Sequence, residues 1–177
     1  MSTLAANFIQ SLAGKRILNT TGGILQVQQA FLDTTWTGTT TIAAGGSLIT
    51  GLSLSITPSS STNKILLFAA INGNGQSTVT QIYTWFMRGS TKIGAAAVAG
   101  SRVPTASRFY YPDANVNGTV PMVYLDSPGT TSPISYSVYA GTEGTGTIYV
   151  NRTQSDTDGT SNGARGSSTL IAVEVVA

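Results

Sequence analysis

The sequence has neither cysteine nor histidine, and the absence of these two residues excludes several kinds of chemistry. Without cysteine there is no disulfide framework, no thiolate zinc site and no cysteine nucleophile. Without histidine, the serine and metal-dependent hydrolases in their usual forms lack a general base or a metal ligand. We therefore expect a protein that is not an enzyme and that requires no metal or cofactor.

Charged residues are also scarce, at 9% of the chain, where soluble domains average roughly 25%. Nine basic and seven acidic residues give a net charge of +2, and Lys15-Arg16 is the only adjacent basic pair. No basic stripe is therefore present to neutralise a phosphate backbone, so we expect no nucleic-acid partner. The sequence also lacks a long apolar run and a cationic N-terminal segment, so we expect no membrane insertion and no signal peptide.

The abundant residues favour extended structure. Threonine, serine and 20 glycines occupy most polar positions, and apolar residues make up 41% of the 177-residue chain, enough for one domain with a sizeable core. From Ile24 onward the apolar residues alternate with polar ones or form short runs. This pattern predicts eleven strands: ILQVQQAF, WTGTTTI, LSLSI, KILLFAAI, TVTQIYTWFM, IGAAAV, SRFYY, VPMVYL, ISYSVY, TIYVN and STLIAVEVV.

The predicted strands follow one another at roughly 8–12-residue spacing without helical segments between them, which is typical of antiparallel sheets. We predict an all-β fold, an antiparallel β-sandwich of jelly-roll type. The apolar run Ile65–Ile71 predicts a central strand buried on both faces, whereas the alternating segment 134–139 predicts a single apolar face, as at an edge. The order of the strands is not readable from these patterns.

Residues 1–16 differ from the rest of the chain. Four apolar side chains have the spacing of one helix face: Leu4, Phe8, Ile9 and Leu12. Ser2 or Thr3 could cap such a helix and Gly14 could end it. We expect an N-terminal arm over residues 1–16, either helical or exchanged as a strand between protomers, ahead of a β-sandwich domain over residues 17–177.

Three short patterns resemble catalytic or metal-binding motifs. Ser61 and Lys64 match S-x-x-K, but that motif requires a serine that opens a helix, and this one precedes a predicted strand. The segment Asp156–Gly159 has two alternating carboxylates, as in a calcium loop, without the later glutamate, and a polar turn is the simpler interpretation. Asp113 and Asp126 could serve as a glycosidase pair only if folding brought them together. We expect these residues to be solvated turn and loop residues.

Five aromatic residues could form either a core cluster or a stacking platform for a sugar: Trp36, Tyr83, Trp85, Tyr110 and Tyr111. In an alternating strand Tyr83 and Trp85 share one face, and Thr84 and Phe86 share the other. Core or interface packing is the more usual role of such rings. We expect that role for most of them.

Seven blocks of the sequence follow one another along the chain: ILNTTGGILQVQQ, GLSLSITPSSSTNKILL, FMRGSTKIG, AGSR, VYLDSPGTTSPISYSVYA, YVNRTQSDTDG and STLIAVEV. In this order and spacing they resemble a β-sandwich module of tailed-bacteriophage virion proteins found in fibre-tip and capsid-decoration, or cement, proteins. The resemblance covers nearly all of the chain from Ile17 onward.

The resemblance implies a homotrimeric structural protein on the outer surface of a virion, assembled in the host cytoplasm. The short leader suggests a decoration protein whose arm residues Leu4, Phe8, Ile9 and Leu12 dock on the major capsid protein or another virion protein. The alternative is a short fibre knob that binds a host surface receptor or glycan. For that role Tyr110, Tyr111 and Asp113 are the candidate ligand-facing residues.

Overall fold

The computed structural model describes residues 22–75, 81–110, 113–160 and 163–177. This part of the chain contains eleven β-strands: β1 (Ile24–Leu32), β2 (Trp36–Gly38), β3 (Ser47–Ile56), β4 (Lys64–Gly75), β5 (Ile82–Arg88), β6 (Thr91–Ile93), β7 (Ser107–Phe109), β8 (Gly118–Asp126), β9 (Ile134–Thr142), β10 (Ile148–Val150) and β11 (Ser168–Val175). Its described residues include no helix long and apolar enough to cross a membrane.

The strands form two sheets, and every pairing between named strands is antiparallel. In sheet A, β4 lies between β8 and β11, and β11 lies between β4 and β1. The short strands β10 and β2 continue the sheet beside Gly73–Gly75 of β4, and we call this end of the sandwich the far end. In sheet B the order is β3-β9-β5, and both β6 and β7 pair with β5. The predicted all-β antiparallel sandwich is confirmed.

The pairing follows the winding of a jelly roll. Among the eight main strands, the first pairs with the last (β1 with β11), the second with the seventh (β3 with β9), the third with the sixth (β4 with β8) and the fourth with the fifth (β5 with β7). One long antiparallel hairpin is thus wrapped into two facing sheets, β1-β11-β4-β8 and β3-β9-β5-β7. The predicted jelly-roll type is confirmed by this strand order.

The core lies between the sheets and is built by alternate residues of each strand. Ile65, Leu67 and Ile71 of sheet A are fully buried, and so are Phe86 and Tyr136 of sheet B. Fully burying an aliphatic or Phe side chain contributes about 1.5–3 kcal/mol. The two inner faces therefore account for the cohesion of the sandwich.

Three details differ from the sequence-based prediction. The segment IGAAAV is not a strand, because β6 ends at Ile93 and Gly94 turns the chain at a φ of +65°. The segment WTGTTTI contributes only the three-residue strand β2. Finally, β9 was expected at an edge, but it lies between β3 and β5. The alternation of apolar and polar residues shows which face of a strand is buried, but not where the strand lies in the sheet. An interior strand whose outer face is polar has the same alternation as an edge strand.

Candidate functional site

The most unusual surface of the sandwich is the side of sheet A that points away from the core. Antiparallel pairing places residues of four strands in rows across this side, and ten of the twelve side chains in three complete rows are apolar. The rows are Val27–Val173–Leu66–Leu125, Gln29–Ile171–Phe68–Val123 and Phe31–Thr169–Ala70–Pro121. We call this surface the outer face of sheet A.

Large apolar side chains on the outer face of sheet A are open to solvent. Val123 is 62% exposed, Phe31 58% and Phe68 39%, although Phe68 lies on the central strand β4. The prediction that the run Ile65–Ile71 is buried on both faces is therefore wrong for the single chain. Its inner side chains are buried, but the outer ones stay partly open to solvent, with Leu66 and Ala70 half-buried and Phe68 exposed.

The outer face of sheet A is a contiguous surface and not a set of scattered apolar residues. Four strands at ~4.8 Å spacing and three rows at ~6.6 Å give a flat area of roughly 400 Å². The twelve positions include no charged residue; Lys64 lies beyond them, at one end of β4. The largest apolar patch on a typical soluble protein is about 300–600 Å² and is often functional, so the outer face of sheet A is a candidate contact site.

The outer side of sheet B has a different chemical character. Two of its paired positions on β3 and β9 carry serine, with Ser53 opposite Ser137 and Ser55 opposite Ser135, and a third places Leu48 opposite Tyr139. Trp85 also points to this side, but it is only 1% exposed, packs near Tyr139 and has the ammonium group of Lys92 3.9 Å from its ring centroid. Desolvation lowers the pKa of Lys92. The outer side of sheet B thus combines serine hydroxyl groups with largely buried aromatic rings, whereas the outer face of sheet A carries exposed apolar side chains.

The predicted sharing of faces around Trp85 is confirmed by the pairing. Tyr83 and Trp85 lie opposite Gly141 and Tyr139, on the outer side of sheet B, whereas Thr84 and Phe86 point to the core. Trp36 is half-buried and packs against the core. These rings do not form an open stacking platform.

The turn before β4, which contains the S-x-x-K match, is attached to sheet A by a buried carboxylate. Glu174 of β11 accepts hydrogen bonds from the Asn63 amide at 2.6 Å, from the Ser59 N–H at 2.7 Å, from the Ser59 hydroxyl at 2.8 Å and from the Gln26 amide at 2.6 Å. Burial alone raises the pKa of Glu174, but the bonds from Asn63, Gln26 and Ser59 outweigh it and hold the pKa below its ordinary value. Ser61 is exposed in a turn that leads into a strand, so the helix that the S-x-x-K motif requires is absent there.

A second buried carboxylate joins the two sheets at the same end of the sandwich. Arg88 of β5 donates to both oxygens of Asp126 at 3.0 Å, and the Tyr136 hydroxyl donates to Asp126 Oδ2 at 2.6 Å. Burial, followed by the hydrogen bond to Asp126 and its charge, raises the pKa of Tyr136 well above its ordinary value. The phenol therefore remains a donor throughout the physiological pH range.

The structure separates the two carboxylates considered as a glycosidase pair. Asp126 lies beside Ile65, and the backbone oxygen of Asp113 accepts a hydrogen bond from Asn74. Asn74 follows Ile65 by nine positions along β4, which is about 30 Å along a strand. Glycosidase carboxylates lie ~5–9.5 Å apart, so Asp113 and Asp126 do not form such a pair.

The candidate ligand-facing residues lie near the far end of the sandwich. Tyr110 is 47% exposed, and Asp113 is exposed, with its Oδ1 accepting the Asn115 N–H at 2.8 Å. Tyr111 lies outside the described residues, as do the arm residues Leu4, Phe8, Ile9 and Leu12. The proposed sites of receptor binding and docking therefore stay predictions.

In the segment that resembles a calcium loop, Asp156–Gly159, the first carboxylate is paired with arginine side chains. Asp156 forms ion pairs with Arg165 at 2.8 Å and Arg152 at 3.4 Å, while Asp158 is exposed. Two guanidinium groups at the first carboxylate disfavour a cation there. Within the described ranges no three acidic, histidine or cysteine side chains are grouped as metal ligands.

The far end of the sandwich is also fixed by an asparagine that the sequence analysis did not identify. Asn151 has a φ of +62°, and its amide donates to the backbone oxygens of Leu32 and Thr34 at 2.8 Å. Its Oδ1 accepts from the Ser168 hydroxyl at 2.7 Å. Asparagine tolerates this left-handed backbone better than most residues. This preference would identify Asn151 from the sequence only if the position of the turn were already known.

Comparisons with known proteins give distant structural likenesses. No protein-family model and no curated protein sequence matches the chain. Solved structures with a likeness include a mutant VP2 protein of infectious bursal disease virus in derived T=1 particles, at 13% identity and a TM-score of 0.41, covering 96% of this chain and 40% of that chain. The Gt strain of the same virus gives 14% identity and a TM-score of 0.43, covering 96% and 42%.

The chain therefore spans about two fifths of the length of these VP2 chains. TM-scores below 0.5 do not establish a common fold, so the jelly-roll assignment depends on the strand pairing of this chain alone.

Proposed function

We propose that this protein is a non-enzymatic structural protein of a bacteriophage virion, a homotrimer on the particle surface that decorates the capsid. The observation that supports the proposal is the outer face of sheet A, an uncharged and mainly apolar area of roughly 400 Å², because the largest apolar patch of a soluble protein is often functional. The sequence resemblance to fibre-tip and decoration modules points to the same role.

The composition is consistent with a structural role. The polar surface relies on hydroxyl groups, with only 9% charged residues in the chain. The two buried carboxylates of the described core, Asp126 and Glu174, are both engaged by hydrogen bonds that join strands and turns. In this role they hold the sandwich together, and neither is available for proton transfer to a substrate.

The N-terminal arm would attach the trimer to the particle. In this proposal Leu4, Phe8, Ile9 and Leu12 dock on the major capsid protein or a neighbouring virion protein. Gly22 and Gly23 pair with Val176 at the sheet A end that carries the Ser59 turn, so the described part of the chain begins at that end of the sandwich. The opposite end, with its exposed loops, would then face outward.

The test is the copy number of this chain in purified virions, measured by quantitative mass spectrometry against the major capsid protein. A number comparable with that of the capsid protein is expected for decoration. Deletion of residues 2–13 should leave a folded oligomer that no longer enters particles. Absence of the intact chain from virions would refute the proposal, and normal incorporation of the deletion variant would refute docking through the arm.

A fibre knob is the second candidate, favoured by Tyr110 and Asp113, which are both exposed near the far end of the sandwich. Aromatic rings and carboxylates both serve in sugar binding, since a ring stacks on the sugar and carboxylate oxygens accept hydrogen bonds from its hydroxyl groups. A copy number of a few per virion, with host-cell binding lost in Tyr110→Ala, would favour the knob over decoration.

A further inference from the structure

The outer face of sheet A is a candidate contact surface, and its chemistry restricts which partner fits it. The three complete rows carry no charge of either sign, so a second copy of the same surface meets it without like-charge repulsion. An acidic or basic partner would find no complementary charge within these rows. The surface is therefore compatible with itself.

The area distinguishes a second copy from the N-terminal arm of the same chain. If Leu4–Leu12 formed the predicted helix, it would be about 14 Å long and about 10 Å wide, covering roughly 140 Å². That is about one third of the face. A standard protein interface takes ~800 Å² of accessible surface from each partner, and side chains that protrude from a flat area of roughly 400 Å² contribute more accessible surface than the flat figure.

We propose that the outer face of sheet A is the contact surface between copies of this chain. Within the trimer of the proposed function, on which this inference rests, the β1–β11 half of one face packs against the β4–β8 half of the next. The hydroxyl-rich outer side of sheet B then remains exposed to solvent. The apolar outer residues of β4, which lack a partner in the single chain, become buried in the assembly.

The first experiment places one charge in the face and measures the oligomeric state of the full chain by sedimentation. Val123 is 62% exposed on the edge strand β8, so Val123→Asp should leave the protomer folded. Val98, 80% exposed in the loop after β6, gives the matched control Val98→Asp. We expect an oligomer for the wild type and for Val98→Asp, and at least a tenfold weaker association for Val123→Asp. Equal association of the two variants, or a wild type that stays monomeric, overturns the inference.

The second experiment uses the absence of native cysteine. Val27 and Leu125 occupy the same row at opposite edges of the face, three strand spacings or about 14 Å apart. A disulfide needs Cα atoms within ~7 Å, so Val27→Cys with Leu125→Cys cannot close within one chain. Oxidation should give covalent trimers, whereas Val27→Cys with Val98→Cys should give none. Failure of both pairs to form cross-linked species overturns the inference.

These outcomes are separate from the test of the proposed function. Covalent dimers without trimers would support contact between copies through this face while contradicting the threefold arrangement. A chain that is present in virions at high copy, yet shows no association through the face, would leave the decoration role standing and remove only the interface. Association through the face by a chain that is absent from virions would remove only the virion role.

Discussion

Replacement of Glu174 by glutamine should destabilise the protein strongly, although the two side chains have nearly the same shape. The carboxylate accepts four hydrogen bonds from three residues on β1 and the Ser59 turn. Glutamine has one acceptor oxygen, and its NH₂ group would face donors. The attachment to β11 of the turn that connects sheet B to sheet A would then be weakened.

The magnitude follows from the number of bonds. A hydrogen bond to a charged group contributes about 1.5–3 kcal/mol, and a neutral one about 1 kcal/mol. Loss of one bond and weakening of the other three give a destabilisation of about 3 kcal/mol. The glutamine NH₂ group, which would face another donor, adds to this value. For a chain of this length, 1 kcal/mol shifts the unfolding midpoint by ~2–4 °C, so we expect a decrease of about 6–12 °C at pH 7.

The effect should depend on pH with a definite sign. Because the pKa of Glu174 is lower in the folded state than in the unfolded chain, the stabilisation is fully present above the unfolded pKa of ~4.3. It is lost as the pH falls through the folded pKa. The difference between wild type and Glu174→Gln should therefore be constant near neutrality and narrow in acid.

The assay is thermal unfolding followed by circular dichroism at one fixed protein concentration, because association also contributes to the midpoint. The chain offers a matched control, since Glu143 is exposed and Glu143→Gln makes the same chemical change. Equal midpoints for the two variants, or a difference that persists unchanged to pH 3, would refute the reasoning.

Two further predictions use the same assay. Asp126→Asn should cost about 2–3 kcal/mol, because the guanidinium and the phenol both lose a charged acceptor, whereas Tyr136→Phe should cost only about 1 kcal/mol; a larger loss in Tyr136→Phe would contradict this order. Gly46→Ala should cost about 3 kcal/mol or more, since its Cβ would lie 2.5 Å from the Trp85 ring at a φ of +67°. Gly45→Ala, at a φ of +90° with open space around it, should cost only about 1 kcal/mol of backbone strain, and equal losses at the two glycines would exclude the steric explanation.

The sequence predicts the strands well where apolar and polar residues alternate. Ile134, Tyr136 and Val138 all face the core as the pattern indicates, with serines between them. A wholly apolar run does not show which of its residues face the core, so the exposure of Phe68 could not be predicted. The run indicates that both faces are to be covered, but not whether the same chain covers them.

The long-range polar contacts were beyond sequence reasoning. Glu174 bonds to Asn63 across 111 positions and Asp126 to Arg88 across 38, and no single-chain pattern encodes such pairs. One signal was available at Glu174, because a single acid within the apolar strand STLIAVEVV would be costly to bury without donors. The buried acid therefore predicts that hydrogen-bond donors surround it, but not which residues supply them.

The jelly-roll winding makes the association surface dependent on the synthesis of β11. The outer face of sheet A combines β1 with β11, which pair Phe31 with Thr169 and Leu32 with Ser168. Such distant pairings form late, because the entropy of closing a long loop must be overcome first. During synthesis, a chain that still lacks β11 cannot assemble the four-strand surface. Self-association through this face is thereby restricted to molecules in which β11 has been synthesised.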